Sequence, residues 1–339
     1  MATPLQRDVF IDTIFEAAQS DRDVLFLSAD LGAKALDRFR AELPDQFIHP
    51  GICEQNMIDV AAGLARSGKK VITYAMASFI TARCYEQIKC ALAAMNQPVT
   101  VVSVGVGLGY DNAGPTHYTT EDLACLRALP GVEVWSPGDA EATQELARLC
   151  LDRPALRYVR LERPALEPLY HGTFSTVRDT GLAEIAHGDR VCILSSGYLL
   201  HRALDVRDLL RPEGIDLGVI DLFRLKPLDT KQLANTLRHY KKIITLEEQC
   251  LDGGFGSAVL EALNDSQLHR PLLRLGLPNR FFFENGGRSH VLEKCGLNPA
   301  TIALSIREFI AGQQLAQPTQ TGNTLITNPA RAAATPDAH

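Results

Sequence analysis

Pro98-Val-Thr-Val-Val-Ser-Val104 runs directly into Gly105-Val-Gly-Leu-Gly-Tyr-Asp-Asn-Ala-Gly-Pro-Thr-His117. The first segment is rich in β-branched residues and has no polar face, the pattern of a strand covered on both sides in a parallel sheet. The second is a glycine-rich loop. In open α/β sheets the loops after strand carboxyl ends build the site. Glycines let the backbone approach a ligand closely, and Gly114-Pro115 fixes a turn that aims His117. No helix follows the glycines at dinucleotide-fingerprint spacing, so that reading is set aside. Alone, the loop reads equally well as a connection, and a single histidine is more often structural than catalytic.

Outward from this strand, strands alternate with helices. Arg7–Ser20 has apolar residues at helical spacing, and Val24–Ser28 reads as a buried strand. Asn56–Arg66 predicts a helix stopped by Ser67-Gly68, Lys70–Tyr74 a strand, and Phe79–Met95 one long helix. Val132–Trp135 and Arg157–Leu161 predict strands around the helix Ala140–Leu151. Glu167–Gly181 is rich in Pro, Gly and Thr and reads as a linker. A second alternation follows, with strands at Val191–Ser195, Leu217–Asp221 and Lys242–Leu246. The fold class is therefore α/β, two doubly wound open-sheet domains. The expected boundaries are 1–165 for the first domain, 166–185 for the linker and 186–312 for the second domain. Residues 313–339, which lack apolar periodicity, are expected to form a disordered tail.

The formal net charge of −6 gives no basic face for nucleic acid. No apolar run reaches membrane-spanning length. None of the eight cysteines has CxxC spacing, which argues against a zinc site of that type. With no signal peptide at the N-terminus, these features lead us to expect a reducing cytoplasm.

Two further stretches carry candidate chemistry. In Gly51-Ile-Cys-Glu-Gln-Asn-Met57, Glu54 stands where an apolar helix begins. Acidic residues favour first helical turns, so alone it reads as a cap partner ahead of a site residue. In Arg157-Tyr-Val-Arg-Leu-Glu-Arg163, Arg160 and Arg163 offer forked donors for a phosphate or carboxylate. Alone, that stretch reads as a solvated rim.

Taken in order, the stretches change the reading. The chain resembles the transketolase family and its relative 1-deoxyxylulose-5-phosphate synthase over about residues 5–310. GICEQNM resembles the family's glutamate motif, SADL (Ser28–Leu31) a family loop, and GPTH (Gly114–His117) matches the family signature. SPGDAEAT and VRLER follow, then LSSGY, VIDLFRLKPLD and LEEQCLDGGFGSAV, which resemble the C-terminal domain. The resemblance implies thiamine diphosphate as cofactor, with Mg²⁺, and Glu54 hydrogen-bonding the pyrimidine ring nitrogen. Phe79 is the candidate stacking aromatic, with Tyr85 one helical face on, and Asp30 of the SADL loop is a cofactor-binding position. His117 would contact the substrate's hydroxyl or carbonyl oxygen, and Arg163, with Arg160 behind it, the acceptor phosphate.

Departures fall on substrate-reading positions. Ala113 stands where the family has an Asp before GPTH, with Asp111 displaced nearby. Ser103 replaces a histidine, and Lys34 a phosphate-contacting serine. The Gly-Asp-Gly motif that holds diphosphate and Mg²⁺ in the family is absent, so no metal ligand is expected on this chain. The resemblance implies a separate diphosphate-binding subunit, a heterotetramer, and sugar or sugar-phosphate substrates for two-carbon ketol transfer. Two other readings stand beside it: the beta subunit of a 2-oxo acid decarboxylase or dehydrogenase, and a non-catalytic scaffold keeping the fold.

Overall fold

The computed structural model describes residues 3–29, 34–110 and 112–312. Asp30, Asp111 and residues 313–339 lie outside the described residues. The strands are β1 (Val24–Ser28), β2 (Phe47–Ile48), β3 (Lys70–Met76), β4 (Val99–Val104), β5 (Glu133–Trp135) and β6 (Arg157–Leu161) in the first half. The second half carries β7 (Ala183–Ala186), β8 (Val191–Ser195), β9 (Leu217–Asp221), β10 (Arg224–Lys226), β11 (Lys242–Cys250) and β12 (Leu272–Leu277). They form a seven-stranded sheet in the order β10-β5-β6-β4-β3-β1-β2 and a five-stranded sheet in the order β12-β11-β8-β9-β7. Both are parallel except for one antiparallel edge strand each, β10 against β5 and β7 against β9. Two open α/β sheets are thus what the alternation of patterns implied.

β4 is buried along its whole length at the centre of the first sheet. Leu25, Val71 and Val99 sit side by side across β1, β3 and β4. Alternate residues face opposite sides: Leu25, Val71 and Val101 pack in one core cluster, Phe26, Ile72 and Val102 in another. The first cluster continues through Leu194, Ile220 and Phe255 of the second half, so the halves share apolar packing. β10 reinforces this by returning from the second half to the edge of the first sheet.

The Phe79–Met95 helix differs from expectation. It is broken: Ala77–Ile80 is one turn, Tyr85–Gln87 resumes, and Ile88–Ala93 is a π-helix. Ile80, Cys84, Ile88 and Leu92 are all fully buried, a strict four-residue spacing. An α-helix drifts by about 40° at each four-residue step, so an unbroken one would carry this stripe off the core. The wider π turn corrects the drift. The Glu167–Gly181 stretch is also packed, because its aromatics give it an apolar face. Phe174 lies 4.8 Å from both Tyr170 and Phe223, centroid to centroid. At Cys250–Phe255 the chain turns from β11 into a helix through Gly253, whose φ of +73° only glycine adopts without strain.

The Tyr170 hydroxyl donates to Asp221 Oδ2 at 2.6 Å, tying this stretch to the end of β9. Asp221 is fully buried, and burial pushes its carboxyl up to about 8. The folded protein therefore keeps a proton there that the unfolded chain releases near the ordinary value of 3.8. The stabilisation is complete below that value and is lost as pH rises through about 8. Asp221→Asn should flatten this dependence and raise stability at pH 8 relative to the wild type. Urea melts of both proteins between pH 5 and 8.5 check it; an equal pH slope in the two would contradict the assignment.

Candidate active site

Four loops at the carboxyl ends of parallel strands build the site. The turn after β2 carries Glu54, the segment after β3 carries Phe79 and Arg83, the loop after β4 carries His117, and Arg163 follows β6. Glu54 is the first residue of the helix Glu54–Arg66 and is 3% exposed. No side chain caps this helix. The carboxylate instead accepts from Arg83 Nη1 at 2.8 Å. The Arg83 guanidinium lies 4.2 Å from the centroid of the Phe79 ring, and the Phe79 ring lies 5.1 Å from that of His117. His117 continues to Tyr110 at 5.9 Å, and Tyr110 to the Arg163 guanidinium at 5.1 Å. A single line of contacts, Glu54–Arg83–Phe79–His117–Tyr110–Arg163, therefore crosses the carboxyl end of the sheet.

The glycines of the loop make room for neighbours. A Cβ on Gly105 would collide with the Tyr110 ring, and one on Gly107 with Glu248 Oε2; both glycines have positive φ. The turn at Gly114 closes with His117 N donating to Gly114 O at 3.0 Å, and Thr116 Oγ1 meets His117 Nδ1 at 2.9 Å. Asn112 Oδ1 accepts from the Gly286 amide, which ties the loop to the second half. Between them opens a cleft of about 520 Å³ lined by Gly109, Asn112, Arg163, Tyr198, Arg288 and Ser289.

Other expected site residues are placed elsewhere. Arg160 is 5% exposed; its Nε donates to Asp122 Oδ2 at 2.7 Å and its Nη1 to Ser136 Oγ at 3.2 Å. Ser103 is fully buried and donates to the Tyr158 hydroxyl at 3.0 Å, which itself donates to Asp122 Oδ2 at 2.6 Å. Both residues thus belong to a polar network under the sheet, centred on a buried aspartate. Burial drives the Tyr158 pKa well up, and Asp122 adds to this. Tyr85 is half-buried and donates to the Cys125 carbonyl at 3.3 Å, toward the helix Asp122–Ala128. Lys34 is exposed on a short turn after β1.

Two groupings escaped the sequence reading. Arg83 is one. The other joins the two halves: Arg288, 5% exposed, donates from Nη2 to Glu162 Oε2 at 2.8 Å and from Nε to Glu248 Oε1 at 2.8 Å. Its guanidinium also covers the Tyr198 ring at 3.8 Å. Burial raises the Glu248 pKa, against the pull of Arg288; burial also opposes the Arg288 charge, which Glu162 and Glu248 nonetheless hold firmly. Neighbouring Glu247 accepts from the Phe255 and Gly256 amides, and burial pushes it up to about 7. The sequence signal for this cluster was the Glu247-Glu248 pair directly after the apolar run of β11.

The residue types of the site are those a pyrimidine ring would call for: a buried carboxylate at a helix start and a partly exposed aromatic beside it. The one three-ligand group among the described residues, Glu184, His187 and His239, lies in the second half and carries two imidazoles, whereas Mg²⁺ takes oxygen ligands.

Residues 4–168 match the transketolase pyrimidine-binding domain and residues 181–302 the transketolase C-terminal domain. The chain is 34% identical over 308 residues to a subunit of the apulose-4-phosphate transketolase of Phocaeicola vulgatus, covering 90% of this chain and 97% of that one. It is 33% identical over 321 residues to the 1-deoxy-D-xylulose-5-phosphate synthase of Gloeobacter violaceus, covering 93% of this chain and 50% of the synthase, so it spans half that protein's length. A structure described as a split gene transketolase, inactive beta4 tetramer, superposes with a TM-score of 0.79 at 27% identity, covering 92% of this chain and all of that one. The two α/β domains are thus the pyrimidine-binding and C-terminal domains of a transketolase-type protein. The chain belongs to the transketolase family.

The two arginines of the VRLER stretch should behave differently. Arg160→Ala leaves Asp122 buried and unpaired and should cost about 3–5 kcal/mol of stability. Arg163→Ala, at an exposed position, should stay within about 0.5 kcal/mol of the wild type. Chemical denaturation of both variants checks this; equal losses would contradict the placement.

Proposed function

We propose that this chain is the pyrimidine-binding subunit of a two-subunit, thiamine-diphosphate-dependent transketolase. The reaction moves a two-carbon ketol unit from a ketose donor to an aldehyde acceptor. It breaks the bond between the ketose carbonyl carbon and the next carbon and remakes it at the aldehyde. One observation carries the reading: the Glu54 carboxylate is buried at an uncapped helix start and joined through Arg83 to the Phe79 ring, which in turn meets His117 edge-on. When bound, the cofactor supplies the carbon nucleophile.

The protein's own groups do the rest. Glu54 holds a proton at the pyrimidine ring nitrogen, which a shielded carboxylate does better than a solvated one. Phe79 offers the ring face for stacking; Tyr85 faces Cys125 and is the weaker candidate. His117, its Nδ1 fixed by Thr116, presents Nε2 to a substrate oxygen. Arg163 supplies a forked cation at the mouth of the open cleft, suited to an acceptor phosphate. The diphosphate and Mg²⁺ are held by a second polypeptide, Asp30 is a cofactor-binding and Lys34 a substrate-binding position by the family resemblance, and the active form is a heterotetramer. Two relatives support this arrangement: the Phocaeicola protein is itself one subunit of a transketolase, and the split-gene homotetramer is inactive. Ala113 in place of the family's Asp removes a substrate-reading carboxylate and points to acceptors other than the common pentose phosphates.

Glu54→Gln keeps side-chain size but cannot share the proton. It should assemble with its partner and bind cofactor, yet lose roughly 10²–10⁴ in turnover. Hydrogen–deuterium exchange at the cofactor's thiazolium carbon separates the readings, because an unchanged exchange rate with a lowered melting point would make Glu54 a structural residue.

Arg83 adds a second test. Its guanidinium takes both surfaces the pyrimidine needs, the Phe79 face and Glu54 Oε2. Both cannot be held at once, so Arg83 must swing away for the cofactor to enter. If the open arrangement is about a tenth of the population, Arg83→Ala should tighten thiamine diphosphate binding by about tenfold in the assembled complex. Calorimetric titration checks it; weaker binding would make Arg83 a cofactor contact.

A further inference from the structure

Glu184, His187 and His239 meet on the far side of the second domain. Glu184 lies on the edge strand β7, His187 in the turn that follows it, and His239 in the turn before β11. All three are exposed, and one ligand atom from each lies within 4.8 Å of the other two. The turns that carry the histidines enter β8 and β11 at their amino ends, whereas Glu248 lies near the carboxyl end of β11. The cluster therefore sits at the opposite end of the sheet from the active site.

We propose that these three residues form a binding site for a borderline transition-metal ion, Zn²⁺ in the first instance. Two imidazoles and one carboxylate suit zinc and its first-row neighbours, and suit Mg²⁺ or Ca²⁺ poorly, since those ions take oxygen ligands. Zinc bonds of about 2.0–2.2 Å place neighbouring ligand atoms about 3.4 Å apart in a tetrahedron. His187 Nδ1 is already 3.3 Å from Glu184 Oε1. Closing the remaining distance asks only for side-chain rotation at exposed positions.

The surroundings orient the ligands as outer groups of metal sites do. The Tyr240 hydroxyl donates to Glu184 Oε1 and accepts from the Gly188 amide, so the carboxylate is held from behind. The His239 ring packs 3.9 Å from the Tyr240 ring, and the His187 and His239 rings lie 5.1 Å apart and within 22° of parallel. Stacking presents two imidazole edges to one side, beside the carboxylate. Three protein ligands leave a fourth position for water. Two nearby guanidinium groups are spent on backbone carbonyls: Arg207 Nη2 donates to that of His187, and Arg270 to those of Tyr240 and Arg238.

A bound ion would pin the turn after β7 to the turn before β11. Among the described residues β7 pairs with β9 alone, through an irregular antiparallel register. The ion would thus act as a clip on this edge of the second domain, independent of the Mg²⁺ proposed for the partner subunit.

The test uses the untagged full chain, stripped of metal and titrated with ZnCl₂ by calorimetry in the presence of millimolar MgCl₂. One Zn²⁺ per chain is expected. His187→Ala and His239→Ala should each weaken binding at least about tenfold, since each removes one of three protein ligands. Co²⁺ substitution separates this site from the eight free cysteines. The expected spectrum has d–d bands without thiolate charge-transfer absorption. Three results would overturn the proposal: no stoichiometric uptake, uptake unchanged in the His187→Ala, His239→Ala double variant, or a thiolate spectrum.

Discussion

A carboxylate buried at the first turn of a helix is the constraint on which the rest of the site depends. Glu54 is withdrawn from water, and its helix has no side-chain cap. An ionised carboxylate in that position is costly unless it is paired. Arg83 supplies the pair, and it reaches Glu54 because the helix after β3 breaks between Ile80 and Tyr85. The break in turn follows from the four-residue spacing of buried Ile80, Cys84, Ile88 and Leu92. Core packing thus delivers an arginine and an aromatic to the same carboxylate. The same burial raises the Cys84 thiol to about 12, with Glu54 adding to the effect, so this neighbouring thiol is no nucleophile.

The second domain shapes the site without supplying the Glu54 end of it. Its Glu248 packs against Gly107 so closely that a Cβ there would collide, and Gly286 is held by Asn112 of the same loop. The Glu162–Arg288–Glu248 cluster bridges the halves in a dry setting, where losing any one partner strands a charge. The loop that carries His117 is therefore gripped from below by β4 and from the side by the second domain. Its aim at the active face rests on that grip.

Much of this was legible in the sequence. Pro98–Val104 announced a central parallel strand, and the alternation around it announced two open sheets. The order of GICEQNM, GPTH and VRLER identified the family before any contact was known. What stayed hidden depends on contacts distant in the chain. β10 is three residues long and pairs with β5, about ninety residues earlier. Arg160 and Ser103 read as substrate residues by resemblance, but Asp122, buried in a helix whose importance no motif signals, turns them inward. Arg83 and Arg288 look like ordinary surface arginines until the fold supplies their carboxylates. The π-helix was implicit in the spacing of its apolar residues, since a helical pattern and a π pattern differ by less than one residue per turn.

On the proposed reading this chain supplies the pyrimidine half of the cofactor site, and a partner of roughly 250–300 residues, about two domains, supplies the diphosphate half. The most direct measurement is calorimetric titration of thiamine diphosphate with Mg²⁺ into this chain alone, the partner alone, and their equimolar mixture. Saturable micromolar binding in the mixture, and none of comparable strength with this chain alone, is the predicted result. Tight, Mg²⁺-dependent binding by this chain alone would contradict the account.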